Sequence, residues 1–122
     1  ISISRFSATS SDGANGGNPC GFLLTTNDGK KLYFAQDTGL FGDMRLIGEE
    51  GLDLAVLPIG DNFTMGIEDA VLAVGFLKPK VVIPMHYNTF DVIKQDPEVF
   101  RKSLPRKDVQ VEIMKPGQTL EV

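Results

Sequence analysis

LDLAVLPIGDNFTMGIEDAVLAVGFLKPKVVIPMHYNTF, residues 52–90, is the stretch whose reading decides the fold. It opens on a nearly continuous apolar run, 52–60, ending in Pro58 and Gly60, the pattern of a strand covered on both faces. Between 66 and 77, Ile67, Ala70, Val71, Val74 and Leu77 follow the i, i+3, i+4, i+7, i+10 stripe of an amphipathic helix. Glu68 and Asp69 fall in its first turn, where the helix dipole favours negative charge, and Pro79 closes it. KVVIPM, 80–85, then reads as another buried strand.

Working outward, CGFLLTT and KKLYFA flank Asn27-Asp28-Gly29, whose Asp-Gly pair suits the positive φ angles of a tight turn. This predicts a β-hairpin over roughly 20–36. Met44, Leu46 and Ile47 lie at near-helical spacing, with Asp43 able to cap and Gly51 placed to stop a short helix. Downstream, DPEVFRKSL (96–104) starts another short helix, and VQVEIM with TLEV reads as a final strand pair around Lys115-Pro116-Gly117. Residues 1–6 alternate as a strand does, whereas 9–18 are small or polar apart from Ala14 and read as a loop near a site or a linker. Strands and helices in this order describe an α/β sheet with crossover helices.

Size and charge limit the function. The 122 residues fit one domain, 1–122, with 42% apolar content for a small core. Net charge is −4 and no basic cluster exceeds Lys30-Lys31, so nucleic acid is not an expected partner. No apolar run approaches the ~20 residues of a membrane span, and the signal-peptide pattern is missing, which makes a soluble, cytoplasmic chain the expectation. Cys20, the single cysteine, excludes an internal disulfide and a cysteine-rich zinc site, and its neighbours Pro19, Gly21 and Phe22 suggest a small buried side chain.

Two polar signals each follow a strand: Asp37 after KKLYFAQ and His86 after KVVIPM. Loops beyond the carboxyl ends of strands are where α/β folds gather chemistry, so the two side chains are expected to meet. An aspartate and a histidine suit zinc, manganese or iron(II), but two ligands make only a partial site. The alternatives are turn chemistry and, because Asp37-Thr38-Gly39 is the aspartic-protease triplet, one half of a carboxylate dyad. Gln36 and Leu40 beside the triplet, and the helix over 66–77, argue against the protease.

GNPCGFLL, LYFAQDTGLFGDM, the 52–90 stretch and the closing MKPGQTLEV together resemble the C-terminal half of metal-dependent hydrolases of the metallo-β-lactamase superfamily, in the group related to the ascorbate-phosphate lactonases. The resemblance covers residues 16–122. It implies half of a four-layer αββα sandwich, one mixed β-sheet backed by helices. It implies that Asp37 is the aspartate bridging two divalent metal ions, zinc or manganese, and that His86 is the last histidine ligand. Thr38, Tyr87 and Asn88 would flank this catalytic pair.

The departures are equally specific. His86 is the only histidine, so the superfamily's His-x-His-x-Asp-His motif is not in this chain. Thr9 aligns where the family has a further histidine ligand, and Gln36 stands where it usually has glycine. A half-sandwich with most ligands elsewhere is expected to bind metal weakly and to be inactive alone. Its second sheet face, with Phe22, Leu24, Leu32 and Phe34, needs cover from the missing N-terminal half or from a second copy in a homo-oligomer. A non-catalytic binding or self-assembly domain using that face is the alternative.

Overall fold

The computed structural model describes residues 20–122, together with the backbone of 8–9 and 15–17. The alternating stretch 1–6 and residues 10–14 of the glycine-rich segment lie outside the described residues. The ends of that segment pair with one another: β1 (Ala8–Thr9) runs antiparallel to β2 (Asn15–Gly17).

The main sheet has five strands in the order β3 (Phe22–Thr25), β4 (Lys31–Phe34), β5 (Leu54–Pro58), β6 (Val81–Met85) and β7 (Gln110–Val111). β3 and β4 form the predicted hairpin, with Phe22 opposite Phe34 and Leu24 opposite Leu32. Its turn differs from a two-residue Asp-Gly turn. The Gly29 amide donates to the Thr26 carbonyl at 3.0 Å, and of the loop residues only Gly29, at φ 86°, is left-handed. A turn followed by a left-handed glycine is the three-residue hairpin loop, so Asp28 does not need positive φ. Its carboxylate instead accepts from the Thr26 hydroxyl, which holds its pKa below the usual range.

From β4 onward the ladders are parallel, joined by α1 (Met44–Gly48), α2 (Ile67–Leu77) and α3 (Pro97–Ser103). Asp96 caps α3 by accepting from the Glu98 amide at 2.9 Å, with Pro97 at the first helical position. α2 leaves its last turn through left-handed Lys78 (φ 48°), just before Pro79. α1 stops at Gly48, three residues before Gly51, which is left-handed (φ 75°) in the turn that follows. Gly48 also sets the α1–α2 approach, since a Cβ there would stand 2.3 Å from the Phe76 carbonyl oxygen.

All three helices bury their apolar residues in one cluster with Tyr33, Ala55, Leu57 and Val82 of the sheet. Strand register fixes the opposite face. Phe22, Phe34, Val56 and Ile83 form one row across the sheet, and Leu24, Leu32, Leu54 and Val81 the next. None of these eight belongs to the helix-side cluster, and Phe22 and Leu24 are 45% and 49% exposed.

Three expectations are corrected. β6 is not buried on both faces: Val82 and Pro84 face the helices and are buried, while Val81, Ile83 and Met85 on the second face are only half-buried. The final strand pair is replaced by β7, two residues long and parallel to β6. The turn after it does form, with the Gln118 amide donating to the Lys115 carbonyl, but the last bond to β6 is from the Glu112 amide to the Val82 carbonyl, and 113–114 and 119–122 form no strand. Cys20 is half-buried rather than enclosed.

Asp53 ties the amino ends of three strands together. Its carboxylate accepts from Lys80 Nζ at 2.7 Å and from the Lys31 amide at 2.9 Å, and its own amide donates to the Lys31 carbonyl. The Lys80 ammonium, and then the Lys31 amide, hold its pKa below the usual carboxylate value.

Candidate metal centre

The opposite edge of the sheet, beyond the carboxyl ends of β4, β5 and β6, is built from strained backbone. Gln36, Asp61, Asn62, His86 and Asn88 all have φ between 54° and 63° without being glycine. Left-handed non-glycine residues cost of order 1–2 kcal/mol each, and they gather where a loop must aim a side chain. Gln36 explains a departure seen in the sequence: the position before the aspartate is left-handed, which glycine adopts freely and glutamine only at a cost.

The Ala35 amide donates to the Val56 carbonyl at 3.0 Å, extending the ladder to the last residue before that turn. The chain reverses at Gln36 and leaves the Asp37 side chain 70% exposed. Thr38 is then buried, with its hydroxyl on the Gly39 carbonyl and its own carbonyl accepting from the Met65 amide at 2.9 Å. Met65 is itself fully buried, so the aspartate loop is anchored to the segment leading into α2.

His86 follows β6 and is anchored to the same segment. The Ile59 amide donates to the Met85 carbonyl at 3.1 Å, and Gly60 lies so close that a Cβ would meet the His86 carbonyl oxygen at 2.2 Å. Both loops are thus referenced to residues 59–65, and they bring His86 Nε2 to 3.6 Å from Asp37 Oδ1. That is too long for a hydrogen bond and is an ion pair only when the imidazole is protonated. The His86 side chain is 27% exposed, and its Nδ1 is buried with no hydrogen-bond partner among the described residues.

The pair fits a metal as a partial donor set. Two atoms each ~2.0–2.2 Å from one zinc ion cannot stand more than about 4.4 Å apart, and 3.6 Å lies within that limit. The described residues hold no group of three or more His, Cys, Asp or Glu side chains able to bind a metal. Metal-bound histidines usually donate their second ring nitrogen to an acceptor; Nδ1 of His86 has none among the described residues.

Of the residues expected to flank the pair, Thr38 and Asn88 are scaffolding. The Asn88 amide donates to the Ile93 carbonyl, and its side-chain oxygen accepts from the Gln95 amide. Tyr87 packs partly against the helix-side core, and burial raises its pKa. Sequence reasoning missed Gly60 and Met65, which position His86 and Asp37. The glycine and proline that end the 52–60 run were a visible signal for the first, but nothing in the sequence marks the second.

Comparison with known proteins identifies the family. A family model described as a beta-lactamase superfamily domain matches residues 1–87. UPF0173 metal-dependent hydrolases from Pelotomaculum thermopropionicum and Methanosarcina barkeri are 57% and 54% identical, over 87% and 88% of this chain and 47% of each relative. The chain spans about half the length of the curated relatives it matches, and corresponds to their C-terminal part. A metallo hydrolase from Ignicoccus hospitalis superposes with a TM-score of 0.80 at 42% identity, over 95% of this chain and 49% of that one. A metallo-β-lactamase superfamily protein from Thermotoga maritima, 24% identical with a TM-score of 0.68, shares the fold. The five-stranded mixed sheet backed by helices is therefore a fragment of the metallo-β-lactamase fold, as the sequence motifs implied. With the family model spanning well over half its residues, the chain belongs to the beta-lactamase superfamily.

Proposed function

We propose that the chain is the C-terminal, ligand-bearing half of a metal-dependent hydrolase, in which Asp37 and His86 hold part of a divalent metal centre of zinc or manganese. The single observation that carries this reading is the 3.6 Å approach of His86 Nε2 to Asp37 Oδ1 from two separate loops, each entered through a left-handed residue. Turn chemistry alone gives no reason for two strained loops to converge.

A bound divalent ion would lower the pKa of water toward neutrality and polarise the bond to be cleaved, so the chain needs no side-chain nucleophile. The protein's part is positioning. The Thr38 carbonyl and Gly60 fix the two loops on one segment, and the Asp37 carboxylate is left open to solvent. The remaining ligands would come from the rest of the relatives' length, so this chain alone is expected to bind metal weakly and to be inactive. Ester, lactone, amide and phosphodiester substrates all suit this chemistry.

The test uses the fact that His86 is the only histidine, so its ring-proton NMR signals report the site without ambiguity. Zinc is expected to shift them with an affinity in the weak, micromolar-to-millimolar range, and Asp37→Ala should weaken that response. Signals unmoved by millimolar zinc would sink the metal reading.

The second reading, an assembly domain, is favoured by one observation: the sheet face opposite the helices carries two half-exposed large apolar residues, Phe22 and Leu24. Either the N-terminal half of the fold or a second copy of this chain is proposed to cover it. Sedimentation of the chain and of a Phe22→Ser/Leu24→Ser variant tests the second-copy form. Self-association lost in the variant supports it, and a wild-type monomer at micromolar concentration removes it.

A further inference from the structure

We infer that Phe63 and Phe90 form an aromatic platform on the rim of the Asp37–His86 site and receive an apolar substituent of the substrate. The inference rests on the hydrolytic reading above and names the kind of substrate which that reading leaves open.

Phe63 is 67% and Phe90 50% exposed, each in a loop. Their ring centroids are 6.3 Å apart with planes tilted by 43°, inside the range of a contacting aromatic pair. They come from different loops, after β5 and after β6, and those loops are fastened together. Asn62 Nδ2 donates to the Val92 carbonyl at 2.6 Å, and Val92, in the same loop as Phe90, is also exposed.

The display is held rigidly. Asp61 and Asn62 on one loop and Asn88 on the other are left-handed, and Asn88 closes its loop through the Ile93 carbonyl and the Gln95 amide. Strain of this kind persists only where the surroundings over-determine the backbone. Two phenyl rings left exposed on this half-length chain by a strained, cross-tied pair of loops are a built surface.

Its place follows from chain connectivity. Phe90 lies four residues beyond His86, so the two Cα atoms are at most ~14 Å apart even in a fully extended chain. The loop is not extended: it folds back so that Ile93 meets Gly60, whose Cα abuts the His86 carbonyl. Phe63 follows Gly60 by three residues and precedes Met65, which anchors the Asp37 loop. Both rings therefore sit on the segments that position the two ligands. Because the rings contact one another they leave no slot between them, which suits an apolar group lying across a surface rather than a ring sandwiched in a cleft.

The test titrates the chain with phenylacetate and, separately, acetate, with and without zinc, reading backbone amide shifts and the His86 ring protons. Phenylacetate is expected to shift the Phe63 and Phe90 amides and to bind ~3- to 10-fold more tightly than acetate, as one aromatic contact would give. A Phe63→Ala/Phe90→Ala variant, altered only at exposed positions, should lose that preference while keeping its zinc response. Equal binding of the two acids, or phenylacetate shifts falling on Phe22 and Leu24 of the sheet face instead, overturns the platform. A phenyl preference that survives in the double variant does so too. If His86 ignores zinc while the preference stands and vanishes in the variant, the hydrolytic reading fails and the platform's affinity for apolar groups stands.

Discussion

Replacing Gly60 by alanine is the sharpest test of how the Asp37 and His86 loops are held. An ideal Cβ at this position stands 2.2 Å from the His86 carbonyl oxygen, 3.0 Å from Ile93 Cβ and 3.3 Å from Ile93 Cγ2. Carbon and oxygen in the closest ordinary contacts are about 3.3 Å apart, so one of the two backbones must retreat by about 1 Å. The obstacle is main chain in a left-handed loop and not the end of a flexible side chain, which puts the cost at the upper part of the overpacking range, about 2–3 kcal/mol. Gly75→Ala is the internal control. Gly75 is exposed within α2 and its Cβ would meet nothing within 4 Å, so alanine there should stabilise by about 1 kcal/mol through helix propensity alone. Urea denaturation of the two variants and the wild type measures both effects in one assay, and the His86 ring-proton response to zinc reports whether the ligand pair has moved. The expected order of stability is Gly75→Ala, wild type, Gly60→Ala, with the zinc response changed only in the last. A Gly60→Ala chain as stable as wild type with an unchanged zinc response would refute the argument that this close approach positions His86.

Gln36→Gly should stabilise by roughly 0.5–1 kcal/mol in the same denaturation assay, since relief of a left-handed glutamine (about 1–2 kcal/mol) exceeds the added chain entropy of glycine (about 0.5–1 kcal/mol); a loss would show that the glutamine side chain makes a compensating bond. Tyr33 is buried with its hydroxyl unpartnered among the described residues and its pKa pushed up to about 12 by burial, so Tyr33→Phe should gain about 1 kcal/mol. A loss of that size in thermal melts would mean that the hydroxyl has a partner. Asp53 has a folded pKa below its unfolded value of about 3.9, so its contribution is fully present above that pH and fades as pH falls through the lower folded value. Asp53→Asn should therefore be less stable at pH 7, with the difference from wild type shrinking below about pH 4; a pH-independent difference contradicts the linkage.

The sequence was most legible where one period dominated. The stripe from Ile67 to Leu77 and the unbroken apolar run of β5 survive intact, because α2 has one buried face and all five residues of β5 are buried. β6 misled because VVIPM is as apolar as LAVLP, and composition does not distinguish a face packed on helices from a face awaiting another layer. The 110–122 region misled because β-propensity and a good turn were both present, yet the chain leaves β6 after Glu112, with only two residues paired in register. At the site, Asp37 and His86 could be paired from their equivalent places after strands, and the structure brings them to 3.6 Å. The left-handed backbone that aims them could not be read, since Gln36, His86 and Asn88 carry no glycine signal. Gly60 acts on His86 through a close approach between residues 26 positions apart, which no local pattern encodes.

The strand order β3-β4-β5-β6-β7 is also the order of synthesis, and this bears on how the chain is made. Each new strand adds to the free edge of the sheet already present, and none has to insert between two earlier ones. The β3–β4 hairpin offers a local nucleus, and each crossover helix emerges just before the strand whose docking encloses it. Main-sheet ladders of this kind need only short loop closures, which favours quick pairing over the slow searches of interleaved parallel sheets. The growing edge is always the most recently made strand, so a chain paused on the ribosome after α2 would already hold the aspartate loop against Met65 and would wait only for the histidine.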